Sequence, residues 1–255
     1  MLAVDLVQRR VDVIVATANP EAALAAKAAT TTIPIVFQIG NDPVKLGLVA
    51  SMNRPGGNIT GASFLVQELV AKRLELLHEI VPTATTIGFL VNPTMSGIET
   101  QIKEAEAAAR TLAVHLMISN ATSPCEIEPA FMTLLGQQIG ALMSESDSLL
   151  FEQNAQIIAL AARHAVPTIY TYGEIANAGG LISYGSILSD AFRLAGVYAG
   201  RVLNGEKPAD LPVQESTKVE LILNMKAAKA LGLTIPLSLL ARRRGDRVTR
   251  RLLRA

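Results

Sequence analysis

The chain has 255 residues, of which 50% are hydrophobic, 23 are Lys or Arg and 22 are Asp or Glu. This composition is typical of a globular protein and excludes a disordered, collagen-like or disulfide-built chain. The single cysteine, Cys125, cannot form an internal disulfide. No apolar run approaches the roughly 20 residues that span a bilayer, so we expect no integral membrane protein.

Charge is unevenly distributed along the chain. The last 14 residues, 242–255, carry seven Arg and one Asp, so this tail has a net charge of +6 and residues 1–241 have −5. A basic arm suits nucleic acid or another anionic surface, but no aromatic side chain lies among the arginines to stack on bases. We therefore predict a disordered tail and no nucleic-acid partner.

The first quarter of the chain alternates buried-strand patterns with Ala-rich helical patterns, which is typical of βαβ units on a parallel sheet. The predicted strands are 11–16, 33–37 and 59–62. The predicted helices are 20–29, 43–51 and 67–80, with a turn over 55–58.

The same alternation then starts again, which favours two lobes with a boundary near 63–67 over one continuous sheet. The second block has predicted strands at 86–91, 114–119, 140–143 and 168–170, and helices at 97–112, 126–137 and 150–164. Later elements are too few for a third domain, and we expect them at the edges of the two lobes. They are strands 181–184 and 218–224 and helices 189–203 and 225–231.

Polar residues close to the predicted strand ends are the candidates for a binding site, because ligands of parallel sheets lie beyond the carboxyl ends of the strands. They are Thr17, Asn19, Asp42, Thr60 and Ser63 in the first block and Asn92, Glu145 and Asp147 in the second. Asn19 begins a helix that either binds an anion or is ordinarily capped. Asp42 either binds an ammonium group or only caps the start of the segment that follows it. Asp147 or Glu145 either neutralises a cation or caps the next helix.

No enzyme motif is present in the sequence. There is no phosphate-binding glycine loop and no G-x-S-x-G nucleophile motif. The three histidines, His78, His115 and His164, have no metal-ligand spacing. We therefore predict a protein that is not an enzyme, with no catalytic residue, no metal site and no cofactor.

Five segments in order resemble the ABC-transporter substrate-binding protein family whose better-known members bind tryptophan or phenylalanine. They are 33–44 (IPIVFQIGNDPV), 47–61 (GLVASMNRPGGNITG), 179–185 (GGLISYG), 205–213 (GEKPADLPV) and 227–236 (AAKALGLTIP). Motifs of this length are specific for the family and say much less about the ligand.

The resemblance implies a type I periplasmic-binding fold of the α/β class: two doubly wound parallel-sheet lobes that close on a solute in the cleft between them. The first lobe would comprise residues 1–63 and about 181–213. The second would comprise 64–180 and about 214–241. The basic tail, 242–255, lies outside both.

The resemblance also implies the residues that line the cleft. From the first lobe these are Thr17, Asn19, Asp42, Thr60 and Ser63, and from the second they are Asn92, Asp147 and Tyr172, with Ser183 and Tyr184 near a crossing. For an amino-acid-like solute we assign hydroxyls and the helix end at Asn19 to the carboxylate. Asp147 would bind the ammonium group, and Tyr172 or Tyr184 the side chain.

The chain departs from the family at its start. Relatives begin with an export signal and a first βα unit, whereas this sequence opens on a helix-like segment with no such signal. We therefore expect an N-terminally truncated protein with an incomplete first lobe. Its localisation would be periplasmic by resemblance, and cytoplasmic if the chain is expressed as written.

Two readings of the function follow. The first is the solute-binding component of an ABC importer, a monomer whose partners are a small solute, such as an amino acid or small carboxylate, and ABC permease subunits. The alternative is an intracellular ligand-sensing effector domain on the same fold.

Overall fold

The computed structural model describes residues 2–17, 19–64, 69–145, 147–241 and 248–253. The chain folds into two compact units: unit 1 is Met1–Val66 with Ser186–Thr217, and unit 2 is Gln67–Gly185 with Lys218–Ala255. It passes from one unit to the other three times. Both units contain parallel strands and helices, which confirms the predicted α/β class.

Unit 1 is built on a four-stranded parallel sheet in the order β1-β2-β3-β9. Its strands are β1 (Ile14–Thr17), β2 (Ile35–Ile39), β3 (Ile59–Phe64) and β9 (Gln214–Ser216). Its helices are α1 (Leu2–Gln8), α2 (Pro20–Ala29) and α9 (Leu188–Leu203), with a 3₁₀ turn at Pro208–Asp210.

Alternation along the unit 1 strands divides their side chains between two apolar clusters. Ile35 and Phe37 on β2 pack in one cluster with Ala23 of α2. Val36, between them, packs in the other cluster with Tyr198 of α9. A parallel strand buried on both faces reads as a near-continuous apolar run, and β2 (IVFQI) shows this pattern with Gln38 as its one polar residue.

Unit 2 is built on a seven-stranded sheet in the order β11-β10-β8-β7-β6-β4-β5. Its strands are β4 (Thr86–Val91), β5 (His115–Asn120), β6 (Ala141–Ser144), β7 (Thr168–Tyr170), β8 (Ile182–Ser186), β10 (Val219–Asn224) and β11 (Val248–Leu253). Its helices are α3 (Val70–Ile80), α4 (Ile98–Leu112), α5 (Pro124–Gly136), α6 (Ser148–Glu152), α7 (Asn154–Arg163), α8 (Gly173–Asn177), α10 (Met225–Ala230) and α11 (Leu237–Ala241).

Strands β5, β4, β6, β7 and β8 are all parallel, so their carboxyl ends lie along one edge of the sheet. Phe89 on β4 packs in the apolar cluster that includes residues of α3 and α4. Its neighbour Leu90 packs in the opposite cluster with residues of α5 and α7. At the opposite edge, where these parallel strands begin, the backbone N–H of Asn224 donates to the carbonyl of Leu181 at 2.9 Å. Strand β10 therefore ends where β8 begins.

Several predicted elements differ from the structure because tertiary pairing, rather than local pattern, decides them. The strand predicted at 181–184 for the first lobe is β8, which pairs with β7 in unit 2. The region 214–216, predicted in the second lobe, forms β9 and pairs with β3 in unit 1. No helix forms over 43–51, where the structure has turns, and the predicted helix 150–164 is divided into α6 and α7.

The basic tail also differs from the prediction. Val248–Leu253 forms β11, an edge strand in parallel register with β10, where we had predicted disorder. The rest of the predicted tail, 242–247 and 254–255, lies outside the described residues.

Candidate functional site

The carboxyl edge of unit 2, where β5, β4, β6, β7 and β8 end, brings together five of the predicted site residues. Asn92 follows β4, Asp147 follows β6 by three residues, and Tyr172 follows β7 by two. Ser183 and Tyr184 lie within β8. Because β4, β6, β7 and β8 are successive neighbours in the sheet, these residues form one row along its edge.

The amide of Asn92 and the carboxylate of Asp147 are hydrogen-bonded to each other, with Asn92 Nδ2 as the donor and Asp147 Oδ2 as the acceptor. Asn92 is buried, and its Oδ1 accepts from both the N–H and the hydroxyl of Thr94, at 3.0 and 2.8 Å. Asp147 Oδ1 accepts from the backbone N–H of Leu150 at 2.9 Å and caps α6. The Asp147 carboxylate is therefore held in place and retains lone pairs for a further donor.

An aromatic pair lies beside this carboxylate. The ring of Phe151, on α6, meets the ring of Tyr172 edge to face, with 5.5 Å between centroids and 83° between planes. Tyr172 is buried, and it is the residue immediately before α8. Capping by Asp147 fixes the start of α6 and so places Phe151 against Tyr172.

Two buried hydroxyls at this edge have no hydrogen-bond partner among the described residues: Thr171 Oγ1 and Ser183 Oγ. Buried hydroxyls are normally satisfied by protein, water or ligand, so these two have capacity for a solute or a water. Gly185 keeps the two strand ends close, because a Cβ there would lie 2.1 Å from the carbonyl oxygen of Thr171. Ser183 was predicted as a site residue, whereas Thr171 was not.

A buried arginine lies behind the same edge. Arg73 is on the first turn of α3 and has no exposed surface. Burial lowers the pKa of Arg73, and the charge of Glu145 opposes that shift most, followed by Tyr172 and Tyr184. Arg73 was not among the predicted site residues, although it occupies an apolar-face position of α3, between Val70 and Leu77.

In unit 1, Asn19 and Asp42 both serve as local caps. Asn19 Oδ1 accepts from the backbone N–H of Ala22 at 2.9 Å and caps α2, with Pro20 at the first helical position. Asp42 is exposed, and its Oδ1 accepts from the backbone N–H groups of Val44 and Lys45 at 2.9 and 3.2 Å. These bonds do not exclude a solute, because Asn19 Oδ1 keeps a second lone pair and Asp42 keeps its other carboxylate oxygen, Oδ2.

Thr17 and Ser63 lie at the carboxyl end of the unit 1 sheet, whereas Thr60 does not. Thr17 is the last residue of β1, and Ser63 is the last but one of β3. Thr60 is the second residue of β3, and its buried hydroxyl donates to the carbonyl of Leu211 at 2.7 Å. Its predicted place at a strand end is therefore wrong, because β3 starts one residue before it and runs on to Phe64.

An apolar cavity of about 370 Å³ lies at the opposite edge of the unit 2 sheet. Its lining includes Thr168 and Leu181, at the starts of β7 and β8, and Asn224, at the end of β10. The remaining lining is mostly apolar and comes from α7 and α10, with Lys226 as its charged residue. Tyr170, the last residue of β7, also lines the cavity, and none of the predicted site residues does.

Within the part of the chain that the structure describes, no group of three or more His, Cys, Asp or Glu is arranged to hold a metal ion. Among the same residues, no helix is long and apolar enough to cross a membrane.

Comparisons with known proteins identify the family. Residues 2–245 match the family model described as ABC transporter substrate binding protein. A "Tyrosine-binding protein" of Clostridioides difficile is 29% identical over 90% of this chain, and the aligned part spans 66% of that relative. The chain therefore spans just under two thirds of the length of that relative.

Solved structures agree with the family match. The ABC domain from Streptococcus pneumoniae in complex with L-Trp has a TM-score of 0.84 and 26% identity, covering 99% of this chain and 84% of that one. A conserved domain protein from Vibrio cholerae has a TM-score of 0.83 and 28% identity, covering 98% and 81%. This fold is the predicted periplasmic-binding-protein-like one, and the family consists of solute-binding proteins rather than enzymes. The match over nearly the whole sequence shows that this chain belongs to the ABC transporter substrate binding protein family.

Proposed function

We propose that this chain is the solute-binding component of an ABC importer for an amino acid, with aromatic amino acids as the first candidates. The observation that carries the proposal is the arrangement at the carboxyl edge of unit 2, where a fixed carboxylate, Asp147, lies beside an aromatic pair, Phe151 and Tyr172. A carboxylate next to aromatic rings suits a molecule with an ammonium group and an apolar or aromatic side chain. Two relatives support the same class of solute: the Streptococcus pneumoniae domain was solved in complex with L-Trp, and the Clostridioides difficile relative is named as a tyrosine-binding protein.

Each polar group at this edge has a role in the proposal. Asp147 accepts from the solute ammonium group, while Asn92 holds its second oxygen in place. Ser183 and Thr171 donate their hydroxyls to the solute, since neither has a partner among the described residues. Tyr172 and Tyr184 contact the solute side chain.

Three of the five unit 1 residues of the sequence prediction remain part of the proposal. Thr17, Asn19 and Ser63 lie at the carboxyl end of their sheet, and the N-terminal turn of α2 at Asn19 suits a carboxylate. Asp42 is exposed and already caps a turn, and Thr60 is bonded inside the unit. We therefore assign the carboxylate to the region of Asn19 and give Asp42 and Thr60 no solute contact.

The cellular setting follows from the family rather than from the site. We propose that the protein acts outside the cytoplasm as a monomer with ABC permease subunits, and that it catalyses no reaction. Binding for import is favoured over the alternative of a regulatory effector domain, because the family model that matches nearly the whole chain is that of transporter components.

The test is calorimetric titration of the protein with L-tryptophan, L-tyrosine, L-phenylalanine and L-leucine, using wild type and Asp147→Asn. Asparagine still caps a helix but carries no charge, so α6 should form while the ammonium group loses its ion pair. We expect wild type to bind at least one aromatic amino acid and Asp147→Asn to bind it about tenfold more weakly or worse. Asp12→Asn, which removes an exposed carboxylate in unit 1, is the matched control and should bind as wild type does.

The outcomes separate two failures. Equal affinity of Asp147→Asn and wild type would remove the assignment of the ammonium group to Asp147. Absence of heat with all four amino acids, in a protein that melts cooperatively, would remove the aromatic amino acids as the proposed solutes.

A further inference from the structure

The first turn of α9, in unit 1, has backbone donors that no side chain caps. The helix is preceded by Ile187, whose apolar side chain makes no capping hydrogen bond. The N–H groups of Asp190 and Ala191 donate to the carbonyl of Ile187 at 3.1 and 3.3 Å, whereas those of Leu188 and Ser189 donate to no group among the described residues. The start of a helix attracts negative charge, because its free N–H groups and the positive end of its dipole lie there.

A buried hydroxyl at the end of β9 is a second, independent feature of unit 1. Ser216 is the last residue of β9 and is 4% exposed, yet its Oγ has no hydrogen-bond partner among the described residues. Buried hydroxyls are normally satisfied by protein, water or a ligand. The Ser216 hydroxyl therefore has a proton to donate to a ligand.

Strand register places the Ser216 side chain on the face of the sheet that α9 covers. Ser216 pairs with Phe64 at the end of β3, so these two side chains lie on the same face. Alternation along β3 gives Phe64 the same face as Thr60, which pairs with Val36. Val36 packs in one cluster with Tyr198 of α9. The Ser216 hydroxyl therefore points to the α9 side of the sheet.

Helix α9 runs antiparallel to the strands, which brings its first turn to their carboxyl ends. Val202, near the end of α9, lines a surface cavity with Asn58, which directly precedes β3. From Val202 back to Leu188 the helix rises by about 21 Å. From Asn58 to Phe64 the strand extends by about 20 Å. The free N–H groups of α9 therefore lie at the level of Phe64 and Ser216.

Charges near this corner of unit 1 do not oppose an anion. Asp190, also on the first turn of α9, accepts from Nε and Nη2 of Arg193 at 3.1 and 3.0 Å, so the pair adds no net charge. Glu215 precedes Ser216 on β9, and its side chain lies on the opposite face of the sheet. The helix end and the hydroxyl, which are both donors, therefore decide the chemistry.

We propose that the N–H groups of Leu188 and Ser189 and the hydroxyl of Ser216 form a carboxylate-binding site, the α9 corner, in unit 1. The inference goes beyond the proposed function, which assigns the solute carboxylate to the region of Asn19. Two sources can supply the group: a free carboxylate, for which acetate is the probe, or the carboxylate of the solute. Only the second source rests on the proposed function.

The first experiment follows the backbone N–H resonances of the complete chain by NMR while sodium acetate replaces sodium chloride at constant ionic strength. We expect saturable shifts at Leu188 and Ser189. Ser216→Ala should raise the half-saturating acetate concentration about tenfold, because a hydrogen bond to a charged group is lost. Its Tm should not fall, since the hydroxyl has no partner among the described residues. Gln214→Ala, at an exposed position on the same strand and face, is the matched control.

A second variant supplies the carboxylate from the chain itself. Ile187 has the extended backbone of a residue that precedes a helix, with φ −74° and ψ 101°, so aspartate there can cap α9. We expect Ile187→Asp to raise Tm by about 2–4 °C and to abolish the acetate response, because its side chain occupies the free N–H groups. Ile187→Val adds no acceptor and should respond to acetate as wild type does.

Calorimetric titration separates the two sources of the carboxylate. It compares the aromatic amino acid that wild type binds best with its amide, which keeps the ammonium group and the ring but has no carboxylate. If the solute carboxylate occupies the α9 corner, Ser216→Ala binds the acid about tenfold more weakly and the amide as wild type does. If a free carboxylate occupies it, Ser216→Ala binds the acid as wild type does and loses only affinity for acetate.

Equal acetate titrations of wild type and Ser216→Ala, or no acetate-dependent shift at Leu188 and Ser189, would overturn the proposal when the preference for acid over amide is also unchanged in Ser216→Ala. If wild type binds none of the amino acids, the proposed function fails. The acetate titration then decides by itself whether the α9 corner binds a carboxylate.

Discussion

At the carboxyl edge of unit 2, the lack of a side chain at Gly185 allows β8 to lie close to the end of β7. Gly185 on β8 approaches the backbone of Thr171 so closely that a Cβ would lie 2.1 Å from its carbonyl oxygen. A backbone atom cannot swing aside as a flexible side chain does, so any larger residue must displace the end of β7. Tyr172, the next residue, would move with it.

We therefore expect Gly185→Ala to lower the free energy of unfolding by roughly 1–3 kcal/mol and to weaken solute binding. Urea titration and calorimetry measure the two effects. Gly136→Ala is the matched control in the same unit, because a Cβ at Gly136 meets nothing within 4 Å. Wild-type stability and affinity in Gly185→Ala would show that the close approach is not needed.

At the scale of elements, side-chain amides tie segments whose sequence separation is large. Asn58, just before β3, donates from Nδ2 to the carbonyls of Thr30 and Ile33 at 3.2 and 2.7 Å. These two bonds join the start of β3 to the loop between α2 and β2. They help to set the parallel register in which Ile35 pairs with Ile59.

Asn58→Ala should destabilise the protein by about 1–3 kcal/mol, because it leaves two half-buried carbonyls without their donor. Thermal melting measures the loss, with Asn204→Ala, an exposed asparagine after α9, as the control in the same unit. Solute affinity should not change, since Asn58 precedes β3 and lies far along it from Ser63. A Tm equal to that of the control would contradict this role.

Strand β1 lies at the outer edge of the unit 1 sheet. Among the described strands β1 pairs only with β2, and Val15 on it is 46% exposed. An exposed apolar edge favours pairing with another chain, and lysine at an edge opposes it. We expect the wild-type monomer to associate weakly as its concentration rises, and Val15→Lys to associate less in analytical ultracentrifugation while its Tm stays within a few degrees of wild type. Equal association of the two proteins would contradict this.

At the scale of the whole molecule, solute binding and stability are linked by mass action. A solute at about 100 times its Kd adds roughly 2.7 kcal/mol to the free energy of unfolding. For a chain of this size that corresponds to a rise in Tm of roughly 5–10 °C. We expect an aromatic amino acid to produce this rise in wild type and Asp147→Asn to show a smaller one at the same concentration. The same rise in both would mean that the stabilising solute does not use Asp147.

Local pattern determined most of the elements and the family. The apolar run of β2, the Asn19-Pro20 start of α2 and the alternating blocks after residue 80 predicted an α/β chain of two repeated blocks, because each depends on residues close in sequence. The same locality explains Asn92 and Asp147, since a residue that follows a parallel strand lies at its carboxyl edge whatever else surrounds it. Tyr172 was implied only by the family resemblance.

Only the tertiary structure decided which sheet the late strands join and what lies behind the site. The segments that form β8 and β9 have strand patterns that fit either sheet. The partner of β9 is β3, which is far away in the sequence, whereas the partner of β8 is β7, which is near but is not identified by its residue pattern. Arg73 falls inside the predicted helix 67–80, and its complete burial follows only from the packing of α3 on β6 and β7. Strand pairing and burial depend on contacts between residues far apart in the chain, which local periodicity does not encode.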